Sequence, residues 1–408
     1  MNTEVKTTMR EQLTKEHQSG SARDGMKGAR SLARWQLPLA ILSVSLVSPA
    51  FAQPAATGGP GPSTSFFSPP PPEGFDPIGA SDADLKTYGF PPRPPLTSAS
   101  YGGWLSMVKA AKRPLVNPTA KTTGIIHRPP QKGALLGDTS PNWSGIYVTG
   151  PAGSPNYFTA NGSTIVGVFT VPSISTSIEN CTYGPYIASI WVGFDGYISP
   201  GGSDVLQAGI NASACQVNGV PQYVPYEVWY EWYTSGCAPS PSNDCGETVV
   251  NSSSGAPFSV HQGDRFTIAV TYYTTSPNGN AFLCDNTTGQ YTSVWYNTSN
   301  AAYTYQGTSA EWVVERPGGF SSNPSGFYNL ADYAPFYMEG TYNGWVPGSG
   351  PASGPNYIAM MCSSSFEQWY PAGACPINNT ILSSVTFYNS GDGQIFFAPA
   401  GPTTIYNP

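Results

Sequence analysis

Charged residues are scarce in this chain of 408 residues and make up only 10% of it, against about 25% in an ordinary soluble domain. Glycine and proline are abundant instead, with 45 and 41 residues. This composition excludes a helical bundle or coiled coil, which needs many Ala, Glu, Lys and Leu residues. Aromatic residues reach 13%, too many to leave in water, so the chain is not disordered throughout. The length permits one large β domain with additional segments.

Positive charge almost disappears after residue 137. Residues 1–137 contain 15 Lys and Arg against 8 Asp and Glu, whereas residues 138–408 contain 2 against 16. This strongly acidic segment argues against nucleic acid and anionic membrane surfaces as partners. It also favours an acidic working environment, where protonated carboxylates repel one another less. Compositional drift in an acidic exported protein is the alternative explanation.

A secretory signal is predicted at the N-terminus. Arg30 and Arg34 precede an apolar run at 37–47, and the small residue Ala52 follows it. This order is typical of an export signal, and the run is too short to span a bilayer. We therefore expect cleavage after Ala52, secretion of the remaining chain, and no membrane association once the signal is removed.

The seven cysteines all lie after residue 180. Export makes disulfide bonds the expected state for most of them. No Cys-x-x-Cys motif or Cys/His cluster is present, so no metal and no cofactor is predicted. The odd cysteine is expected to be Cys284, and the predicted bridges are Cys181–Cys215, Cys237–Cys245 and Cys362–Cys375.

Residues 53–137 form a Pro-rich, basic region with 8 Lys and Arg against 4 Asp and Glu. A short helix is predicted near 81–88. A basic region ahead of an acidic domain suits a propeptide that docks on it, and a linker is the alternative. We expect acidification to release such a propeptide by neutralising its carboxylate partners.

Residues 138–408 show the pattern of an all-β domain. Many short alternating or β-branched runs between turn residues indicate an antiparallel sandwich or a barrel, and no amphipathic helix of useful length is predicted here. The predicted strands are 164–171, 187–194, 204–210, 225–233, 265–274, 311–314 and 383–388.

Alternation along these strands predicts one apolar face and one face of carboxylate, amide and indole groups. Leu206 and Ala208 are expected in the core, so Gln207 points the other way. In the same manner Glu311 lies opposite to Trp312. Trp and Glu recur together on several strands, which predicts a substrate groove, whereas a solvated sheet face is the alternative.

Most hydrolytic chemistries lack their residues. His261 is the only histidine after residue 137 and lies in a turn, so a Ser–His–Asp or Cys–His site would depend on it. Zinc hydrolysis lacks ligands. A glycosidase pair of Glu227 and Glu231 would be about 13 Å apart on one strand, beyond the roughly 5–9.5 Å that such pairs need. A pair on different strands, such as Glu231 with Glu311, stays open.

Six short blocks follow one another in a fixed order. They are Asn142-Trp143-Ser144-Gly145, Phe169-Thr170-Val171-Pro172, Trp191-Val192-Gly193-Phe194-Asp195-Gly196, Leu206-Gln207-Ala208-Gly209, Trp229-Tyr230-Glu231-Trp232-Tyr233 and Ala310-Glu311-Trp312-Val313-Val314-Glu315. Together they resemble the glutamic peptidases, or eqolisins, which are secreted acid proteases with a lectin-like, concanavalin-like jelly-roll β-sandwich. The stretch 74–92 also resembles the prosegment of bacterial members.

The resemblance implies an acid endopeptidase with a Gln/Glu dyad. Gln207 matches the glutamine that stabilises the oxyanion, and Glu311 matches the general base that activates water. Asn211 stands where relatives often carry Asp, which leaves the hydrogen bonding behind Gln207 open. The positions that the resemblance assigns to substrate binding are Trp191, Asp195, Trp229, Glu231 and Tyr233.

The expected organisation is a signal peptide at 1–52, a propeptide or linker at 53–137 and a peptidase domain at 138–408. We expect a monomer that acts on proteins or peptides, with the long stretch 321–375 as an insertion near the cleft. Two other functions remain open on the same fold. A carbohydrate-binding sandwich would need neither residue of the dyad, and a glycoside hydrolase would need two carboxylates.

Overall fold

Eleven stretches of the chain are described by the structure, which is a computed structural model. They are 64–130, 139–175, 185–197, 204–218, 220–222, 226–234, 246–297, 305–319, 326–362, 380–388 and 393–399. All of them belong to one unit that spans residues 58–408. The predicted signal at 1–52 lies outside the described residues.

Strands dominate these stretches. The helices among the described residues are α1 (Asp82–Thr87), α2 (Tyr101–Ala110) and one 3-10 turn at Tyr157–Thr159. The strands, in chain order, are β1 (Thr64–Phe67), β2 (Arg113–Pro114), β3 (Thr119–Thr122), β4 (Ile125–Ile126), β5 (Thr139–Ser140), β6 (Trp143–Thr149), β7 (Ser163–Thr170), β8 (Tyr186–Phe194), β9 (Asp204–Ala214), β10 (Gln216–Val217), β11 (Val220–Pro221), β12 (Tyr226–Thr234), β13 (Thr248–Asn251), β14 (Arg265–Tyr272), β15 (Gly279–Asp285), β16 (Gln290–Asn297), β17 (Ser309–Glu315), β18 (Gly318–Gly319), β19 (Phe336–Tyr342), β20 (Ser353–Cys362), β21 (Thr380–Tyr388) and β22 (Gln394–Pro399).

Two antiparallel sheets pack face to face. The cleft sheet has the strand order β3-β13-β12-β9-β8-β17-β6-β20. The outer sheet has the order β21-β22-β19-β7-β14-β15-β16-β1. Strand β20 also pairs with β21, so the chain curls from one sheet into the other along β20. The predicted all-β antiparallel sandwich is therefore confirmed.

The core between the sheets follows from the two-residue alternation of each strand. Leu206, Ala208 and Trp312 point into it, as predicted, so Gln207 and Glu311 are left on the opposite face of the cleft sheet. Other core side chains from the two sheets include Ile165, Phe169, Ile190, Val192, Ile210, Val228, Phe266, Ile268, Val314, Met338 and Phe397.

Each of the seven predicted strands is present, with bounds that shift by at most four residues. The longest extension is in β9, which continues to Ala214 because the polar residues after Ile210 lie on the cleft face and remain compatible with alternation. The described part of 321–375 is not an insertion. It contains β19, in the middle of the outer sheet, and β20, which joins the two sheets.

The region before residue 115 packs on the outside of the outer sheet. Helix α1 is close to the predicted position and is capped by Ser81, whose hydroxyl accepts a hydrogen bond from the Asp84 N–H at 3.1 Å. Helix α2 was not predicted. Apolar side chains hold both helices on the sheet, namely Leu85, Phe90, Trp104, Met107 and Val108 against Ala269, Phe282, Cys284 and Tyr291. No helix in the described ranges has the length and apolar character needed to cross a membrane.

Cys284 is a buried, free thiol, which confirms it as an unpaired cysteine. Cys215, in contrast, is not a free thiol. Each of the three predicted bridges includes a cysteine outside the described residues, at 181, 237, 245 or 375, so these pairings stay predictions.

Candidate active site

The two residues of the predicted dyad lie in one row across the cleft sheet. Glu311 on β17 is paired with Gly193 on β8, Gly193 with Gln207 on β9, and Gln207 with Glu231 on β12. Residues paired directly across strands share a face of the sheet. The amide and the carboxyl group of the dyad therefore project from the same face. One strand, β8, lies between their strands and contributes Gly193 to this row.

Gly193 keeps the space between Gln207 and Glu311 open. A methyl group added to Gly193 would lie 2.9 Å from the Gln207 Cβ and 2.8 Å from the Leu206 carbonyl oxygen. Real Cβ atoms do not approach so closely, and close backbone approach is a common reason for glycine inside a strand. The glycine thus lets the two functional side chains face each other without an intervening group.

Glu311 is fully buried, and neither of its carboxylate oxygens makes a hydrogen bond of normal geometry among the described residues. Burial raises its pKa well above the ordinary value, the Ser309 hydroxyl opposes the shift in part, and the charge of Asp195 adds to it. Burial therefore favours the protonated form of this carboxyl group, because an isolated buried carboxylate is costly.

Asp195 supports the loop that precedes β17. Its backbone is in the left-handed region, with a φ of 70°, which Asp tolerates better than most residues. Its carboxylate accepts hydrogen bonds from the backbone N–H groups of Gln306, Gly307 and Thr308 at 2.7–2.9 Å. Burial nevertheless raises its pKa. These bonds fix the entry into the strand that carries Glu311.

The face that carries the dyad is covered by the chain's own residues 119–130. Strand β3 extends the edge of the cleft sheet by pairing with β13, and β4 pairs with β18. Between these pairings the backbone N–H of Glu247 donates to the Ile125 carbonyl oxygen at 2.8 Å. We call residues 119–130 the cleft segment, since they contain β3 and β4 and their backbone forms hydrogen bonds with the dyad row at His127.

The main chain of His127 lies directly on the dyad row. Its carbonyl oxygen accepts a hydrogen bond from Gln207 Nε2 at 2.7 Å, and its N–H donates to Glu231 Oε2 at 2.9 Å. One residue further on, Asn142 Nδ2 donates to the carbonyl oxygen of Arg128 at 3.0 Å. The groups that bind this backbone make no use of the segment's side chains, so an extended peptide of any sequence can form the same bonds.

The side chain of His127 fills a pocket beside this row. Nε2 lies 2.8 Å from Glu247 Oε2, Nδ1 lies 3.2 Å from Glu315 Oε2, and the ring stacks on Trp229 with a centroid distance of 3.6 Å and an interplanar angle of 3°. Burial alone would lower the pKa of His127, but its hydrogen bonds and charge interactions with Glu247 and Glu315 overcome this and raise it to about 10.

Other side chains hold the two carboxylates of this pocket. Trp191 Nε1 donates to Glu315 Oε2 at 2.8 Å. Asn142 Nδ2 lies 3.3 Å from the other oxygen of Glu315. The amide of Asn211 donates to Glu247, which places it behind the pocket rather than behind the dyad glutamine. Burial raises the pKa of Glu315, with opposing contributions from its hydrogen-bond partners.

The residues assigned by resemblance have different surroundings. Trp229 and Glu231 contact the cleft segment directly, while Trp191 reaches it through Glu315. Tyr233 is half-buried beside them and lies close enough to Arg128 for their charges to interact. Asp195 binds the loop before β17.

Four residues of this site were not predicted from the sequence. Glu315 follows Glu311 by four positions on one strand, so alternation already placed it on the same face. Asn142 opens the first of the six blocks, which was a usable signal. No signal in the sequence indicated Glu247 or His127, because both lie outside the predicted strands and blocks. Only the folded structure brings them to the site.

The geometry does not suit a glycosidase pair of Glu231 and Glu311. They are separated by three strand spacings, about 14 Å along the row, whereas paired carboxylates of such enzymes are roughly 5–9.5 Å apart. Glycine and glutamine occupy the positions between them.

A family model and several solved structures match this chain. Residues 141–381 match the model of the Peptidase A4 family. The chain is similar to scytalido-glutamic peptidase bound to a peptide-based transition-state analogue, with 21% identity, a TM-score of 0.40, and coverage of 64% of this chain and 98% of that one. It is similar to SCP-B, an eqolisin bound to the tripeptide Ala-Ile-His, with 20% identity, a TM-score of 0.39 and the same coverage.

A basic winged bean lectin bound to Tn-antigen is also similar, with 11% identity, a TM-score of 0.19, and coverage of 49% of this chain and 96% of the lectin. A search of curated protein sequences gives no match. The family model covers more than half of the chain, and the chain therefore belongs to the Peptidase A4 family and is a glutamic endopeptidase.

Proposed function

We propose that this protein is the secreted precursor of an acid endopeptidase that cleaves proteins or peptides with Glu311 as the base and Gln207 as the oxyanion donor. The observation that carries the proposal is the 2.7 Å hydrogen bond from Gln207 Nε2 to the carbonyl oxygen of His127. An extended peptide thus lies on the row that contains Glu311, with a carbonyl group at the amide of Gln207.

In the proposed reaction, ionised Glu311 accepts a proton from a water molecule while the water oxygen attacks the peptide carbonyl carbon. The carbonyl oxygen gains negative charge, and the Gln207 amide stabilises it by donating a hydrogen bond. Protonated Glu311 then gives its proton to the leaving amine as the C–N bond breaks. A carboxylate suits this role in acid, since its reference pKa is about 4.3 whereas histidine would be protonated there.

The same geometry supports the proposal that residues 53–137 are a propeptide. The cleft segment lies on Gln207 in the dyad row, and burial raises the pKa of Glu311, which favours the protonated carboxyl group that cannot act as a base. Removal of the segment would admit water and return the pKa of Glu311 towards its ordinary value. The precursor is therefore expected to be inactive until the segment leaves.

Among the other predicted site residues, we assign Trp229 and Glu231 to peptide binding, because both contact the cleft segment. Trp191 orients Glu315, and Tyr233 borders the position of Arg128. Asp195 holds the loop before β17 and so positions Glu311 rather than the peptide.

The test is digestion of an unfolded protein substrate by the full chain after acid incubation, across roughly pH 2 to 7. The parent should cleave, Glu311→Gln should not, and Glu339→Gln should cleave like the parent. Glu339 is a suitable control because it is a half-exposed carboxylate on the outer sheet. Equal cleavage by the parent and Glu311→Gln would place the base elsewhere, and no cleavage by any form after the segment has been removed would refute the proposed Gln207/Glu311 mechanism.

A further inference from the structure

We propose that Glu247, Glu315 and Trp229 form a specificity subsite that selects a cationic side chain, imidazolium above all, on the residue whose carbonyl group faces Gln207. This inference rests on the proposed function, since it names the class of peptide that the dyad cleaves. The preferred substrates are then proteins cut on the carboxyl side of histidine.

The position of the subsite follows from a single residue of the cleft segment. The carbonyl oxygen that accepts the hydrogen bond from Gln207 and the ring that fills the pocket both belong to His127. If a substrate places its scissile carbonyl at Gln207, the side chain of that same residue enters the pocket. The pocket therefore binds the side chain of the residue on the acyl side of the bond to be cleaved.

The chemistry of the pocket fits imidazolium better than any neutral group. One carboxylate faces each ring nitrogen, at 2.8 and 3.2 Å. Neutral imidazole carries one N–H, so it can satisfy only one of the two, whereas imidazolium donates to both. The parallel indole of Trp229 adds a stacked face, which attracts a flat cation.

A neutral side chain would leave this pocket unsatisfied. Glu247 and Glu315 are both fully buried. Without a cation, each carboxylate must stay ionised without a partner or take up a proton, so the charge-assisted hydrogen bonds of the pocket are lost. Phenylalanine can stack on Trp229 but donates no hydrogen bond. Glutamine donates through one amide group and cannot reach carboxylates at opposite ends of a ring.

The peptidase domain, not the segment, orients most of the pocket. Trp191 and Asn142 hold Glu315, and Asn211 holds Glu247, while Thr123 of the segment adds one bond to Glu247. Besides Glu247 and Glu315, the Glu231 carboxylate on β12 interacts electrostatically with His127, and Arg128 is the next residue of the segment. Carboxylates outnumber cations around this pocket, so the pocket favours a positively charged side chain.

The first experiment measures hydrogen exchange of the 125–127 amides in the full chain, near neutral pH. His127→Phe and His127→Gln should each speed exchange at least roughly tenfold, because the segment loses its charged anchor. Lys121→Gln is the matched control, since it removes one positive charge from an exposed position of the same segment. Protection in His127→Phe equal to that of the parent would overturn the proposal.

The second experiment uses the acid-incubated full chain and matched peptides that carry residues 123–126, then His, Gln, Phe or Leu, then a common leaving half. The His peptide should have a kcat/KM roughly 100-fold above the others, because only it satisfies both carboxylates. Glu247→Gln should shrink this ratio at least tenfold, whereas Glu339→Gln should leave the ratio unchanged.

The outcomes separate the two proposals. Equal cleavage of all four peptides refutes the proposed subsite and does not contradict the proposed Gln207/Glu311 mechanism. Cleavage of none of them, with fast exchange in His127→Phe and His127→Gln, supports a cation-selective pocket and counts against the proposed protease mechanism. A preference for Phe or Leu over His would overturn the subsite outright.

Discussion

The pKa of His127 makes the stability of the docked segment depend on pH, and the direction is testable. With the segment docked, the pKa is raised from 6.5 to about 10 by Glu247 and Glu315, against the effect of burial. A raised histidine pKa contributes stability that is fully present below the unfolded pKa and is lost as the pH rises through the folded pKa. The segment should therefore loosen between about pH 6.5 and pH 10.

The magnitude follows from the same shift. One pKa unit corresponds to about 1.4 kcal/mol, so a rise from 6.5 to about 10 is worth at most about 5 kcal/mol. Glu231 acts in the same direction, because burial raises its pKa to about 8 against the influence of His127. The docked state thus binds more protons than the released state over this range.

This direction contradicts the expectation that acidification releases the segment by neutralising carboxylates. Release by acid requires groups whose pKa is depressed on docking, whereas the pKa values of His127, Glu231, Glu311 and Glu315 are all raised. Below the ordinary pKa of glutamate these groups are protonated in both states, and their contribution becomes constant. These shifts therefore give no release of the segment on acidification alone, and we expect maturation during acid incubation to require cleavage of the chain.

The assay is urea unfolding of the parent and His127→Gln at roughly pH 6 and roughly pH 11, followed by tryptophan fluorescence. The free-energy gap between the two proteins should be several kcal/mol near pH 6 and should shrink towards zero near pH 11. His261→Gln is the control, because that histidine is 73% exposed and lies outside the cleft. A gap that is constant with pH, or widens as the pH rises, would refute the reasoning.

Three further predictions concern the dyad and the packing of the N-terminal region. Gln207→Ala should lower kcat on a protein substrate by roughly 10²–10³, as measured for loss of one oxyanion donor, while the circular dichroism spectrum stays unchanged. Gly193→Ala should reduce both activity and urea stability, the latter by about 1–3 kcal/mol, because the new methyl group overlaps Gln207 and the Leu206 carbonyl; an unchanged protein would show that this spacing is not needed. Met107→Ala should cost about 2–5 kcal/mol in urea unfolding, since the side chain is 2% exposed and packs on the outer sheet.

The strands and their faces were predictable because alternation is a local property. The inward direction of Leu206 and Trp312 fixed the outward direction of Gln207 and Glu311 without any knowledge of the fold. Helix α2 was missed because two glycines open it, Gly102 and Gly103, and glycine disfavours helix by about 1 kcal/mol relative to alanine. The burial of Trp104 and its neighbours against the outer sheet outweighs this cost.

The cross-strand register could not be predicted from the sequence, since it depends on which strands become neighbours. Nothing in the chain order shows that Gly193 separates the strands of the dyad, or that Glu247 and Glu315 meet around one ring. The basic character of the N-terminal region suggested docking by charge. The described contacts of that region are instead mainly apolar on the outer sheet, and its buried ion pairs are concentrated at His127.

A segment that blocks a protease by lying in its cleft needs affinity for the cleft and also selectivity for it. In this segment the two properties come from different contacts. Its backbone bonds to Gln207, Glu231 and Asn142 are available to any extended peptide, so they give affinity without selectivity. The selectivity for one side chain comes from the His127 ring, whose two carboxylate partners need a cation. The affinity of the inhibitor and the preference of the enzyme then have the same origin. A change at Glu247 should weaken the block and broaden cleavage together, which a purely structural role for this pocket does not predict.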